Sequence, residues 1–166
     1  MKYSIEDIDY AIDFYILATE ELYGQRALKS PIATESAVEA TEIALSFQFP
    51  PTFRRFIQRC PYFSGISCQT YKPGGIVWDN EWYHEQSENG FLPAFLILFM
   101  GGHDGDCYCF DSRIRDKHGE CPVVYWDYGS MNSDDISGLK PLHDDFLHHL
   151  KFLTGHKIEM GKLRRR

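Results

Sequence analysis

The sequence lacks a long apolar segment. Its longest apolar run, Phe91 to Met100, has ten residues and contains Pro93, whereas a membrane-spanning helix needs roughly 20 apolar residues. Glu6 and Asp7 are acidic where a secretory signal would carry positive charge before an apolar core. We therefore predict a cytoplasmic protein without membrane association, in which the five cysteines stay reduced.

Catalytic motifs are also lacking. There is no His-Glu-x-x-His, no Gly-x-Ser-x-Gly and no glycine-rich phosphate loop. We predict that the chain is not an enzyme and needs no cofactor. A small hydrolase or metal protein that uses His103 with Cys107 or Cys109 is the less favoured alternative.

Potential metal ligands have unsuitable spacing. The segment from Asp104 lacks glycine and glutamate where an EF-hand requires them. Cys107 and Cys109 are two apart in a predicted strand, so we expect them to be buried thiols on one face rather than a zinc knuckle. Three histidines are spaced so that no two share one helical face: His143, His148 and His149. We predict no metal site.

Positive charge is scarce outside the C-terminus. The chain has 17 Lys and Arg against 24 Asp and Glu, a net charge of −7. Without Lys162, Arg164, Arg165 and Arg166, the rest of the chain, its body, has 13 Lys and Arg against 24 Asp and Glu, a charge of −11. Such a body repels phosphate backbones and attracts basic proteins. We predict a basic protein partner and no direct nucleic-acid binding, and we interpret the terminal cluster as a solvated, frayed tail.

Helical patterns lie at both ends of the chain. The first helix is predicted from Ser4, its cap, to about Tyr23, where Gly24 ends it. A second begins near Thr34, with Ser36 and Glu39 at capping-box spacing, and stops before Phe49-Pro50-Pro51. A third starts at Thr52. The last is predicted from Asp144 to Leu153, with Pro141 near its start.

Short runs between turn residues predict strands in the middle of the chain. The predicted strands are Ile66–Tyr71, Gly75–Trp78, Leu92–Met100, Asp106–Phe110 and Val123–Tyr128. Because 166 residues suit one domain and the helices are separated from the strands, we predict a single α+β domain. Its antiparallel sheet would be curved, with about five to six strands and helices packed against it.

Large aromatic residues and carboxylates recur together at the predicted strand ends and loops. Such aromatics, rimmed by charge, are typical anchors of protein interfaces. We predict a partner-binding surface made of Trp78, Glu81, Trp82, Tyr83, Asp104, Asp106, Trp126, Asp127 and Tyr128. Burial of the tryptophans in the core is the alternative interpretation.

Four segments follow one another in a recognisable order: Glu42–Ile57 with its Phe-Pro step, Phe91–Asp111 with a Gly-Asp turn, Pro122–Tyr128 with its Trp-Asp pair, and the last helix. Together they resemble the SUKH superfamily, which includes fungal cell-wall-assembly regulators and bacterial immunity proteins. Two features depart from the pattern. Cys60-Pro61-Tyr62 replaces a glycine-rich loop, and Ser46 stands where glycine is common.

The resemblance implies a curved antiparallel sheet with helices against it, no catalytic residues, and direct binding of a partner. It divides the chain into an N-terminal helix and loop (1–33), a SUKH-like domain (34–155) and a basic tail (156–166). Many bacterial members are thought to neutralise toxins, often nucleases with basic active sites. We therefore expect an immunity-type protein, with a regulatory scaffold for a non-toxin protein as the alternative.

Overall fold

The computed structural model describes residues 1–27, 29–63, 75–85, 92–101, 106–127, 136 and 138–164. Within these ranges five α-helices and four strands follow one another along the chain. They are α1 (Ile5–Tyr23), α2 (Glu35–Leu45), α3 (Pro51–Ile57), α4 (Ile76–Glu85), β1 (Leu96–Gly101), β2 (Cys107–Asp111), β3 (Val123–Trp126), β4 (Pro141–His143) and α5 (Phe146–Arg164). A 3₁₀ turn, Gly24–Arg26, follows α1.

The strands form one antiparallel sheet in the order β1-β2-β3-β4. The α+β prediction is confirmed, although the described residues contribute four strands rather than five to six. The prediction of a strand at Gly75–Trp78 is wrong, because Ile76 begins α4 instead. The predicted strand Ile66–Tyr71 lies outside the described residues. Within the sheet, β1 has a bulge between Leu98 and Met100.

Phenylalanine rings join the helices to the sheet. Phe53 of α3 is fully buried. Its ring centroid lies 5.4 Å from that of Phe99 on β1, 5.2 Å from Phe110 on β2 and 5.0 Å from Phe146 on α5. Tilted and edge-on aromatic pairs at these separations add to the free energy of simple burial. Helices α3 and α5 thus pack against one face of the sheet.

The ends of the first two helices follow from short polar side chains. Ser4 Oγ accepts a hydrogen bond from the amide of Asp7 (3.1 Å), which confirms Ser4 as the cap of α1. The predicted Ser36 cap is wrong, because the Thr34 side chain accepts from the Ala37 amide (3.2 Å) and caps α2. Helix α2 ends at Leu45, before the stop predicted at Phe49-Pro50-Pro51, because Ser46 adopts a left-handed conformation (φ 50°).

The N-terminus of α3 is completed from a distant part of the chain. Pro50 precedes the helix and makes no side-chain capping bond. Glu120, which is buried, accepts hydrogen bonds from the Thr52 amide (3.0 Å) and hydroxyl (2.7 Å). A carboxylate is favourable there because the helix N-terminus carries partial positive charge. Burial raises the pKa of Glu120, while the bonds from Thr52 oppose that rise.

The last helix is longer than predicted. Pro141 belongs to β4, and α5 continues past Leu153 to Arg164. The frayed-tail interpretation is therefore wrong for residues up to Arg164. The Arg164 guanidinium donates to the Leu22 carbonyl at the end of α1 (3.2 Å), so the chain's basic end packs on its first helix.

The N-terminal ends of α1 and α5 are joined at Asp145, which is fully buried. Its carboxylate accepts hydrogen bonds from Lys2 Nζ (2.8 Å), Tyr3 Oη (2.6 Å) and the His148 amide (3.0 Å). Since Arg164 contacts Leu22 at the other end, α1 and α5 run parallel, side by side. No helix in the described ranges is long and apolar enough to span a bilayer.

Candidate functional site

Helix α4 is attached along the outer edge of the sheet. The Asn80 amide accepts a hydrogen bond from Leu98 N (2.9 Å) and donates one to Leu98 O (2.8 Å). A ring nitrogen of His84 lies 3.0 Å from the Leu96 carbonyl. Within the described residues β1 is the first strand of the sheet, so these side chains bond to backbone groups that would otherwise be open to another strand. The attachment holds α4 against β1.

Four predicted interface residues lie on α4. The Trp78 and Trp82 rings are nearly parallel, with centroids 6.3 Å apart and an angle of 12°. Tyr83 meets Trp82 edge-on at 4.9 Å. Trp82 is 38% exposed and Glu81 is exposed, whereas Trp78 and Tyr83 are half-buried. Helical spacing and ring packing therefore gather three aromatics and a carboxylate on one short helix.

The start of β2 adds a second group of charges. Tyr125 Oη donates a 2.6 Å hydrogen bond to Asp106, and this bond, with burial, raises the pKa of Tyr125 to about 12. Asp127 contributes to the same shift, which places its charge near this phenol. Burial raises the pKa of Tyr83, and the negative potential of Asp106 acts in the same direction. Asp106 thus joins the start of β2 to Tyr125 of β3.

The structure does not place the three remaining predicted interface residues on this surface. Trp126 is fully buried on β3, so it is unable to touch a partner and is not part of the surface. Its Nε1 has no hydrogen-bond partner in the described part of the chain. Asp104 and Tyr128 lie outside the described residues.

A comparison with protein families matches residues 32–150 to the SMI1 / KNR4 family (SUKH-1). The chain belongs to this family. The match confirms the SUKH resemblance and includes α2, α3, α4, the whole described sheet and the start of α5. Helix α1 and most of α5 lie outside it. A search of curated proteins found no match.

This SUKH-1 domain also contains a histidine pair, one half-buried and one buried, that spacing along one helix did not predict. His143 ends β4 and His149 lies in α5, with ring centroids 5.2 Å apart. His149 is fully buried, and neither of its ring nitrogens has a hydrogen-bond partner within the described ranges. Burial, followed by the neighbouring His143, lowers the pKa of His149 to about 3. The ring is therefore neutral at ordinary pH.

The paired cysteines of the SUKH-1 domain lie on the face of β2 predicted for them. Cys107 and Cys109 are fully buried with their sulfurs 3.5 Å apart. Burial raises the pKa of Cys109 well above its ordinary value, which disfavours the thiolate that metals and electrophiles require. Among the described residues no three His, Cys, Asp or Glu side chains are grouped to hold a metal ion.

The sequence analysis missed the residues that position this site. Asn80 and His84 were not identified, although they stand four residues apart and therefore share one helical face. That spacing, continued back to the buried Ile76, was the available signal for a helix. Ser46, unlike Asn80 and His84, was singled out from the sequence because it stands where glycine is common in the resemblance. Ser46 adopts a left-handed conformation, which glycine accepts most easily.

Proposed function

We propose that this SUKH-1 protein is a non-enzymatic immunity-type protein that neutralises a cognate toxin by direct binding. The observation that carries the proposal is the cluster on α4. We define the α4 surface as Trp78, Glu81, Trp82 and Tyr83, to which we assign Asp106, before β2, and Asp127, after β3, as a charged rim. Family membership is compatible with either an immunity or a regulatory role.

The aromatic part of the α4 surface suits an anchor. Binding hot spots are enriched in Trp and Tyr, because a large rigid ring buries much area and loses little conformational entropy. Trp82 is exposed but held between Trp78 and Tyr83. The helix itself is fixed through Asn80 and Leu98. A partner would therefore meet rings that are already in place.

The charged part of the α4 surface indicates the kind of partner. Glu81, Asp106 and Asp127 add local negative charge to a chain whose net charge is −7. Such a field accelerates the approach of a basic protein and orients it. A nuclease-like toxin domain, whose active site is shaped for phosphate, presents that kind of positive surface.

The direct test is co-expression with the product of the neighbouring reading frame. We expect the two proteins to co-purify as a stable complex, and the chain to restore growth of cells that express the toxin. A neighbouring toxin that neither co-purifies nor is neutralised would contradict the proposal. Co-purification with a basic neighbour that is harmless to cells would instead support the second candidate, a regulatory scaffold that uses the same surface.

A further inference from the structure

One face of α4 carries two tryptophans and two glutamates, and we call it the Trp/Glu face. Its members are Trp78, Glu81, Trp82 and Glu85, which share one side of the helix because they stand three or four residues apart. Both glutamates are exposed and Trp82 is 38% exposed. The residues that bond α4 to β1 lie on the other side of the helix, so the Trp/Glu face is turned away from the strand.

The two glutamates of this face carry charges that α4 does not compensate. Neither Glu81 nor Glu85 has a hydrogen-bond or ion-pair partner in the part of the chain that the structure describes. Like charges four residues apart repel each other on a helix. Glu85 is also the last residue of α4, where the helix dipole places partial negative charge. The basic residue of this turn, His84, is directed at the Leu96 carbonyl (3.0 Å). A cation from outside the chain would therefore stabilise the end of α4.

The tryptophans beside these carboxylates indicate which cation fits. A guanidinium is planar, so it stacks on an indole ring while its N–H groups donate to carboxylates around the ring. The ammonium of lysine is compact and strongly hydrated, and it gains less from such a ring. The Trp82 ring packs between the nearly parallel ring of Trp78 and the edge of Tyr83. It lies one residue after Glu81 and three before Glu85, so both carboxylates flank it.

We propose that the Trp/Glu face of α4 binds an arginine side chain of the protein partner. The guanidinium stacks on the exposed part of the Trp82 ring and donates to the carboxylates of Glu81 and Glu85. This inference rests on the proposed function, since it names the side chain with which the basic partner contacts the α4 surface. It also adds Glu85, which was not a predicted interface residue, to the residues that make the contact.

Titration of the full chain with N-acetyl-L-arginine amide tests the proposal. NMR follows the indole N–H groups of the three tryptophans, and the fully buried Trp126 is an internal control. We expect the Trp82 signal to shift with a dissociation constant of about 10 mM, while the Trp126 signal stays in place. N-acetyl-L-citrulline amide, which has a similar shape but no charge, should bind at least about fivefold more weakly. N-acetyl-L-lysine amide should bind about threefold more weakly.

Variants at exposed positions show whether the two carboxylates bind the probe. The double variant Glu81→Gln, Glu85→Gln should weaken arginine binding at least about fivefold. Glu39→Gln, which removes an exposed glutamate from α2, should leave it unchanged. Equal binding of the arginine and citrulline probes, or wild-type binding in the double variant, would overturn the proposal. If the arginine probe fails while the neighbouring-frame product is still bound and neutralised, this inference is wrong and the proposed function stands. Arginine binding without toxin neutralisation would support the inference and contradict the proposed function.

Discussion

The Asn80 side chain makes the hydrogen bonds to Leu98 that a neighbouring strand would make. Its oxygen accepts from Leu98 N (2.9 Å) and its nitrogen donates to Leu98 O (2.8 Å), while the same nitrogen also contacts the Ile76 carbonyl (2.7 Å). One side-chain amide therefore bonds both backbone groups of Leu98 and holds α4 against β1. The contact helps to hold α4, which carries the aromatic residues of the α4 surface, against β1.

Asn80→Ala is expected to lower the free energy of unfolding by about 2–4 kcal/mol. The substitution leaves a buried N–H and a buried C=O without partners, and each loss costs about 1–3 kcal/mol. Urea denaturation checks the value. His84→Ala is the matched control on the same helix face, and because His84 is half-buried with a single bond, we expect a smaller loss. Equal stability of Asn80→Ala and the wild type would show that α4 is held by other contacts.

Asp145→Asn is expected to destabilise the protein by about 3 kcal/mol, because Lys2 and His148 lose a buried charged acceptor. Burial opposes the charge of Asp145, but hydrogen bonds from Lys2 and Tyr3 outweigh it and lower its pKa. The stabilisation is therefore present above the unfolded-state pKa of about 3.9 and is lost as pH falls below it.

Thermal unfolding at pH 7 and pH 3 checks this expectation. The difference between wild type and Asp145→Asn should shrink at the lower pH. Glu159→Gln removes an exposed ion pair with Lys162 from the same helix, so it should change little at either pH. A difference for Asp145→Asn that is the same at both pH values would contradict the electrostatic explanation.

Replacement of His149 is expected to reduce acid sensitivity. The pKa of His149 is about 3 in the folded chain, because of burial and the neighbouring His143, and about 6.5 when unfolded. As pH falls, His149 is therefore protonated in the unfolded chain at a higher pH than in the folded chain. Stability falls by up to about 1.4 kcal/mol per pH unit as pH drops from about 6.5 towards 3. His149→Phe has no such proton to bind.

Urea midpoints at pH 7 and pH 5 measure this effect. Phenylalanine suits the site because His149 already lies among the rings of Phe99, Tyr108 and Phe146. We expect a smaller drop between the two pH values for His149→Phe than for the wild type. The exposed His156→Phe should keep the wild-type drop. An unchanged drop in His149→Phe would mean that the buried imidazole is not the group that titrates.

Charge reversal at Glu81 is expected to slow the association of a basic partner. Glu81 is exposed beside the α4 aromatics, so Glu81→Lys should lower the association rate several-fold at low ionic strength. The difference in association rate between Glu81→Lys and the wild type should narrow at about 0.5 M salt, where charges interact over only a few ångströms. Rates measured at three salt concentrations check this. A rate difference that does not depend on salt would indicate a contact effect instead of steering.

Much of the fold was predictable because its signals are local. Ser4 and Gly24 border α1, and the turns between strands gave β1, β2 and β3 near their observed positions. Helix α4 was predicted as a strand instead, although the spacing of Ile76, Asn80 and His84 was a local helix signal. Ile76, Val77 and Trp78 resemble a strand locally, and the helix is fixed by the contact of Asn80 with a strand that follows later in the chain.

The candidate site was predicted only in part for the same reason. Trp78 and Trp82 were predicted to share a partner-binding surface, and their rings stack because they lie one helical turn apart on α4. Composition did not reveal that Trp126 points inward, since that depends on the register of β3 with β2. The path of α5 beyond Leu153 was missed because its basic residues find their partners on α1, far away in sequence.

Binding of the neighbouring-frame product to Trp82→Ala, measured by biolayer interferometry, tests the proposed α4 surface most directly. Phe152→Ala is the matched control, since Phe152 is also an exposed aromatic on a helix. A central anchor contributes about 2 kcal/mol or more, so we expect affinity to fall at least about 30-fold for Trp82→Ala and to change less than about twofold for Phe152→Ala. Wild-type affinity in Trp82→Ala would contradict the account.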